Sequence, residues 1–278
     1  MPLTLPDFIC VGPGHTGTTW LHWVLKSRVC LPQPMKETHF FDFNYERGLG
    51  WYADRFSHAT RDRPVAEICS YFPSPKATAR IAQHIPDCKI ICSLRDPVER
   101  TYSSYKHALY SGLTRGSFEE AIEHLPFLTR ENRYGLHLNR WHENFGKERV
   151  LVILFDDLRD RPQTFINRVC EFTGARPIDL ASVRMPAKAM NSHALVPRVP
   201  ALARRARRAI NYLNDRRLGW VSDSFERVGF WNLFFAGKFP PMKCETEQRL
   251  RERYLPEIEA LEKLIGRELP SWKLPRAI

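Results

Sequence analysis

With 278 residues, 43% of them hydrophobic, the chain can bury one sizeable core, so a single domain is the default and a second is not required. Forty-two Lys and Arg against 31 Asp and Glu leave a net charge of +11, which favours an anionic partner such as a nucleotide, acidic glycan, nucleic acid or anionic membrane. Seven cysteines, an odd number with no CxxC pair, argue against a disulfide framework and a zinc site; no apolar run reaches the length of a membrane span. A soluble, cytoplasmic protein holding no metal is the expectation.

The run FICVG at 8–12 predicts a first, buried strand. Gly12-Pro-Gly-His-Thr-Gly-Thr-Thr-Trp follows it and opens a predicted helix carrying Trp20, Leu21, Val24 and Leu25. In that context backbone N–H groups and the helix dipole cradle phosphate, which nominates Gly14, His15, Thr16, Gly17, Thr18 and Thr19 as nucleotide contacts. The spacing is that of GxxxxGK[ST], but Thr18 stands where the lysine belongs, which disfavours an ordinary ATPase or kinase.

Next comes Lys36-Glu-Thr-His-Phe-Phe-Asp, where the resemblance given below implies that Glu37 is the general base, with His39 and Asp42 orienting it or binding the acceptor, and where Phe40 opens an aromatic cluster that is a candidate lining of an acceptor pocket. An ion pair between Glu37 and Lys36 is the competing structural reading. Further strands are predicted at VAEIC, KIICSL and VLVILF, alternating with helical patterns, so the expected fold is α/β, a phosphate-loop-like central parallel sheet flanked by helices. KIICSL ends at Arg95, Asp96 and Pro97 open a helix, and Ser103 comes round about two turns later. Arg95 and Ser103 can therefore grip one anion. Tyr134, Leu138, Trp141 and Phe145 recur at helical spacing, as do Leu250, Tyr254, Ile258, Leu261 and Ile265 before Gly266. Regular alternation breaks between Pro186 and Pro241, read as an insertion on the core, with Arg204, Arg205, Arg207 and Arg208 as an exposed basic face.

G-x-x-x-x-G-T-T-x-L resembles the 5'-phosphosulfate loop of the sulfotransferase superfamily, which carries lysine at the position of His15. The Arg95/Ser103 pair resembles the same family's 3'-phosphate site. K-E-x-H-F-F-D resembles the segment of heparan sulfate O-sulfotransferases in which the glutamate is the catalytic base, and AEICSYFPSPK resembles a later segment of theirs, with Glu67 where they place a catalytic lysine. The resemblance implies a sulfotransferase using 3'-phosphoadenosine 5'-phosphosulfate as co-substrate. In it Glu37, His15 and His39 are catalytic; Gly14 to Thr19, Arg95 and Ser103 bind the donor. No nucleic acid is expected as a partner, and neither the acceptor nor the oligomeric state is specified. A kinase with Asp156 or Asp157 on magnesium is the enzymatic rival; a nucleic-acid-binding protein using its arginine-rich stretch is the rival of another class.

Overall fold

A computed structural model describes residues 3–60, 62–183, 239 and 241–275. The insertion expected between Pro186 and Pro241, with Arg204 to Arg208, lies almost wholly outside the described residues.

Four short strands form one parallel sheet in the order β2-β1-β3-β4, with β1 at Phe8–Gly12, β2 at Ala66–Ile68, β3 at Lys89–Leu94 and β4 at Val150–Leu154. Each was legible as an apolar run, because a parallel strand covered on both faces has no polar side to alternate with. On one face, α1 (Thr18–Leu25) and α9 (Pro162–Thr173) pack Leu21, Val24, Ile166 and Val169 against Phe8 and Cys10. Opposite, α3 (Pro75–His84), α4 (Pro97–Tyr110), α7 (Tyr134–Phe145) and α10 (Cys244–Ile265) cover Ile9 and Val11. The smaller helices are α2 (Gly48–Ala53), α5 (Phe118–His124), α6 (Phe127–Arg130), α8 (Phe155–Asp160) and α11 (Pro270–Lys273).

The helix boundaries follow local chemistry. Asp96 accepts from the amide of Val98 at 2.8 Å and Pro97 supplies the first turn of α4. Gly266, at φ 63°, stops α10 as a left-handed cap. Other residues of the run from Arg95 to Arg100 are structural: Asp96 also meets Arg251 of α10 at 3.1 Å, and the buried Arg100 donates to Asn132, to Glu131 at 2.8 Å and to the Leu128 carbonyl at 2.6 Å. All seven cysteines are unpaired, six of them buried and Cys244 exposed.

The chain leaves β1 toward β2 on one side and returns to β3 on the other, so β1 and β3 flank a topological switch point. The carboxyl ends of two such strands are the place where sheets of this kind take ligands. The phosphate loop leaves one strand and Arg95 the other.

Candidate active site

The loop between β1 and α1 is braced from within. Thr16 is fully buried; its hydroxyl donates to the Pro13 carbonyl at 2.7 Å, and Ser93 of β3 donates to the Thr16 carbonyl at 2.7 Å. The expectation that Thr16 contacts a nucleotide is thus narrowed to its backbone amide. Gly12 and Gly17 adopt φ +83° and +92°. A Cβ on Gly17 would stand 2.7 Å from Leu158, and one on Gly12 3.4 Å from the backbone of Ser70. No side chain caps the first turn of α1. Its leading N–H groups are therefore left for an anion, which fits the residues to a phosphate.

Arg95 is held from several sides. Its Nη1 donates to the His15 carbonyl at 3.3 Å, its other nitrogens meet Glu99 at 3.0–3.2 Å, and the guanidinium lies 4.4 Å from the centre of the Phe155 ring. Glu99, Ser103 and His107 recur at intervals of four and so share one face of α4. Glu99 reaches the loop through Arg95, and His107 stands 5.3 Å from the His15 ring. Ser103, half-buried between them, therefore faces the loop. Arg95 and the α4 face that carries Ser103 thus both lie beside the loop, and that face adds His107, which the same four-residue spacing from Ser103 would have found.

On the other side of the loop lies Glu37, 26% exposed in its side chain. Its Oε2 accepts from the backbone and hydroxyl of Ser70, both at 3.4 Å, and Ser70 packs beneath Gly12 and Gly14. Ser70 thus separates the candidate base from the phosphate loop by one side chain. Lys36 donates to Glu37 Oε1 at 3.1 Å and to the Thr19 hydroxyl at 3.3 Å, so the ion pair read as an alternative to catalysis exists, and lies inside the site.

His39 links two carboxylates, with Nδ1 3.2 Å from Asp42 and Nε2 3.5 Å from Glu37. Burial pushes its pKa down, but hydrogen bonds with Asp42, Cys69 and Glu37 outweigh this and raise it to about 12. Burial raises the pKa of Glu37, yet the bond from His39 and the charge of Lys36 bring it down to about 2. Asp42 is thereby a partner of His39. Glu37, His39 and Cys69 bring ligand atoms within 4.8 Å of one another, a spacing that suits a metal ion. As an imidazolium, His39 offers such an ion no lone pair until it loses a proton.

Two expectations change. Phe40 is 1% exposed and stacked on Tyr52 at 4.7 Å, so it belongs to the core and has no face for an acceptor. Phe43, 81% exposed with its ring 5.5 Å from that of His39, is the aromatic residue that faces outward. Glu67 is fully buried, and accepts from the Thr38 amide and hydroxyl at 3.1 and 2.6 Å and from the Tyr52 hydroxyl at 2.7 Å. Burial raises its pKa against those bonds. Glu67 therefore pins the turn that carries Glu37 and does not enter the site. The aspartates proposed for magnesium are committed elsewhere: Asp156 accepts from Trp272 at 2.8 Å, and Asp157 meets Arg267 at 2.6 and 2.8 Å.

A family model described as a sulfotransferase domain matches residues 5–190. The chain belongs to the sulfotransferase family. Among its curated relatives, mouse bifunctional heparan sulfate N-deacetylase/N-sulfotransferase 4 is 28% identical over 309 residues, covering 96% of this chain and 31% of the relative. Human bifunctional heparan sulfate N-deacetylase/N-sulfotransferase 3 is 34% identical over 197 residues, covering 62% and 23%. The chain thus spans about a third or less of the length of these two relatives. A solved sulfotransferase from Alicyclobacillus acidocaldarius superposes with a TM-score of 0.70 at 22% identity, covering 98% of this chain and 100% of that one. That likeness supports the phosphate-loop-like parallel sheet read from the strand runs.

Proposed function

We propose that this domain transfers a sulfuryl group from 3'-phosphoadenosine 5'-phosphosulfate to a hydroxyl or amine of a carbohydrate or small-molecule acceptor. The observation that carries the reading is the placement of Glu37 across Ser70 from an uncapped phosphate loop. A carboxylate there stands where an acceptor attacking the end of a phosphate-bound donor releases its proton. The loop amides and Thr19 hold the 5'-phosphosulfate; Arg95 and Ser103 hold the 3'-phosphate, the group that separates this donor from ATP. The acceptor oxygen or nitrogen forms its bond to sulfur as the bond from sulfur to the 5'-phosphate breaks, the proton passes to Glu37, and the bisphosphate departs with the bonding pair.

The relatives' names place them on heparan sulfate as N-sulfotransferases. A glycan acceptor also suits the charge of +11. We further place the protein in a reducing compartment such as the cytoplasm, a reading supported by seven unpaired cysteines; thiol titration of protein isolated without reductant tests it. For the reaction, the test is incubation with the donor and a panel of glycans and hydroxylated or amino small molecules, followed by mass spectrometry for a gained sulfuryl group. With an acceptor in hand, Glu37→Gln lowers turnover by about 10²- to 10⁴-fold while affinity for the 3',5'-bisphosphate stays nearly constant. A variant close to the wild-type rate would remove Glu37 from the role of base.

A further inference from the structure

We infer that Lys36 supplies the cation missing from the phosphate loop, its ammonium group contacting the transferring sulfuryl group and the leaving 5'-phosphate oxygen. The inference rests on the sulfuryl-transfer reading above. The lysine that neutralises charge on the reacting phosphate stands directly after the last glycine in the GxxxxGK[ST] loop, and at the position of His15 in the sulfotransferase loop that this one resembles; here those places hold Thr18, largely buried, and His15. Lys36 arrives from a separate segment and joins the two halves of the site: its Nζ lies 3.3 Å from the hydroxyl of Thr19, in the first turn of α1, and 3.1 Å from Glu37. Its side chain is 31% exposed, so it can follow a ligand without breaking core contacts. Arg95 also reaches the loop, but through the His15 carbonyl and with Glu99 as its anion, on the side where α4 runs.

The position suits two tasks in one step. As the bond from sulfur to the 5'-phosphate breaks, negative charge collects on the phosphate oxygen, and an ammonium beside Thr19 stabilises it without transferring a proton. Moving toward the donor, Lys36 also withdraws from Glu37. The carboxylate then loses one of the charges that hold its basicity down, at the point where it must accept the acceptor's proton. Donor binding and base activation are thereby coupled through one side chain.

The test compares Lys36→Met, Lys36→Arg and the double variant Lys36→Met with His15→Lys. Single-turnover transfer is followed with an acceptor found in the panel, and calorimetry uses the 3',5'-bisphosphate, which lacks the sulfuryl group. Lys36→Met is expected to slow transfer about 10²- to 10³-fold, the cost of removing one preorganised donor to a developing anion, with far less effect on bisphosphate affinity. Lys36→Arg retains part of the rate. Restoring a lysine within the loop by His15→Lys recovers at least about tenfold over Lys36→Met alone, because it returns the charge to the leaving oxygen. Thermal melting of each variant confirms that the fold is kept. A Lys36→Met enzyme at the wild-type rate overturns the inference alone, as does a loss that neither Lys36→Arg nor His15→Lys repairs. Wild-type protein that binds no bisphosphate overturns the sulfuryl-transfer reading, and this inference with it.

Discussion

His39 sits at φ 47°, a left-handed backbone position uncommon for a residue with a side chain, and from there its ring reaches Asp42 on one side and Glu37 on the other. Both shifts favour the charged pair, and the signs follow. The stabilisation from Glu37 is present above its ordinary 4.5 and is lost as pH falls toward about 2; that from His39 is present below its ordinary 6.5 and is lost as pH rises toward about 12. The clamp is therefore at full strength between those ordinary values and declines slowly on either side. It follows that His39 contributes no break to the rate profile through neutral pH. Asp42→Asn removes the strongest of the hydrogen bonds that raise His39 and brings its titration down toward neutrality, where ring-nitrogen NMR can follow it. Wild-type His39 titrating near its ordinary value would refute the clamp.

Helix α4 does two jobs on different faces. Glu99, Ser103 and His107 look toward the loop, while Arg100 turns inward and is fully buried among Asn132, Glu131 and the Leu128 carbonyl. Arg100 is thus the anchor that fixes the angle at which Ser103 is presented. A buried guanidinium with three acceptors has no replacement of like shape, and its removal leaves Glu131 and the Leu128 carbonyl without their donor. Arg100→Met is expected to lower unfolding free energy by about 3–5 kcal/mol in urea titrations. A loss below about 1 kcal/mol would class the cluster with surface ion pairs.

Across the whole molecule, the site is a product of strand order. The loop after β1 and Arg95 after β3 become neighbours because β1 and β3 pair directly, in register from Phe8 with Lys89 to Cys10 with Ile91 and shifted by one residue where Gly12 meets Cys92. The two phosphate sites proposed on adjacent strand ends predict selectivity for a nucleotide phosphorylated twice. The 3',5'-bisphosphate should bind far more tightly than AMP, and Arg95→Ala should weaken it at least about tenfold, since a charged hydrogen bond is worth about 1.5–3 kcal/mol. AMP affinity should hardly move in that variant. Equal calorimetric affinities of the wild type for the two nucleotides would remove the 3'-phosphate assignment.

The sequence alone determined the elements and the local halves of the site. Apolar runs marked the strands, Asp96-Pro97 and Gly266 marked helix ends, and the glycine loop and Arg95 with Ser103 could be nominated as candidates because each is contained within one strand-to-helix junction. The tertiary structure decided what meets across the chain. Ser70 beneath the loop, Glu67 under Thr38, His107 against His15 and the core position of Phe40 depend on which strands pair and which helix covers them. An apolar run buried on both faces records that it is buried, but carries no mark of its neighbours, so strand order and the contacts that follow from it appear only when the sheet is assembled.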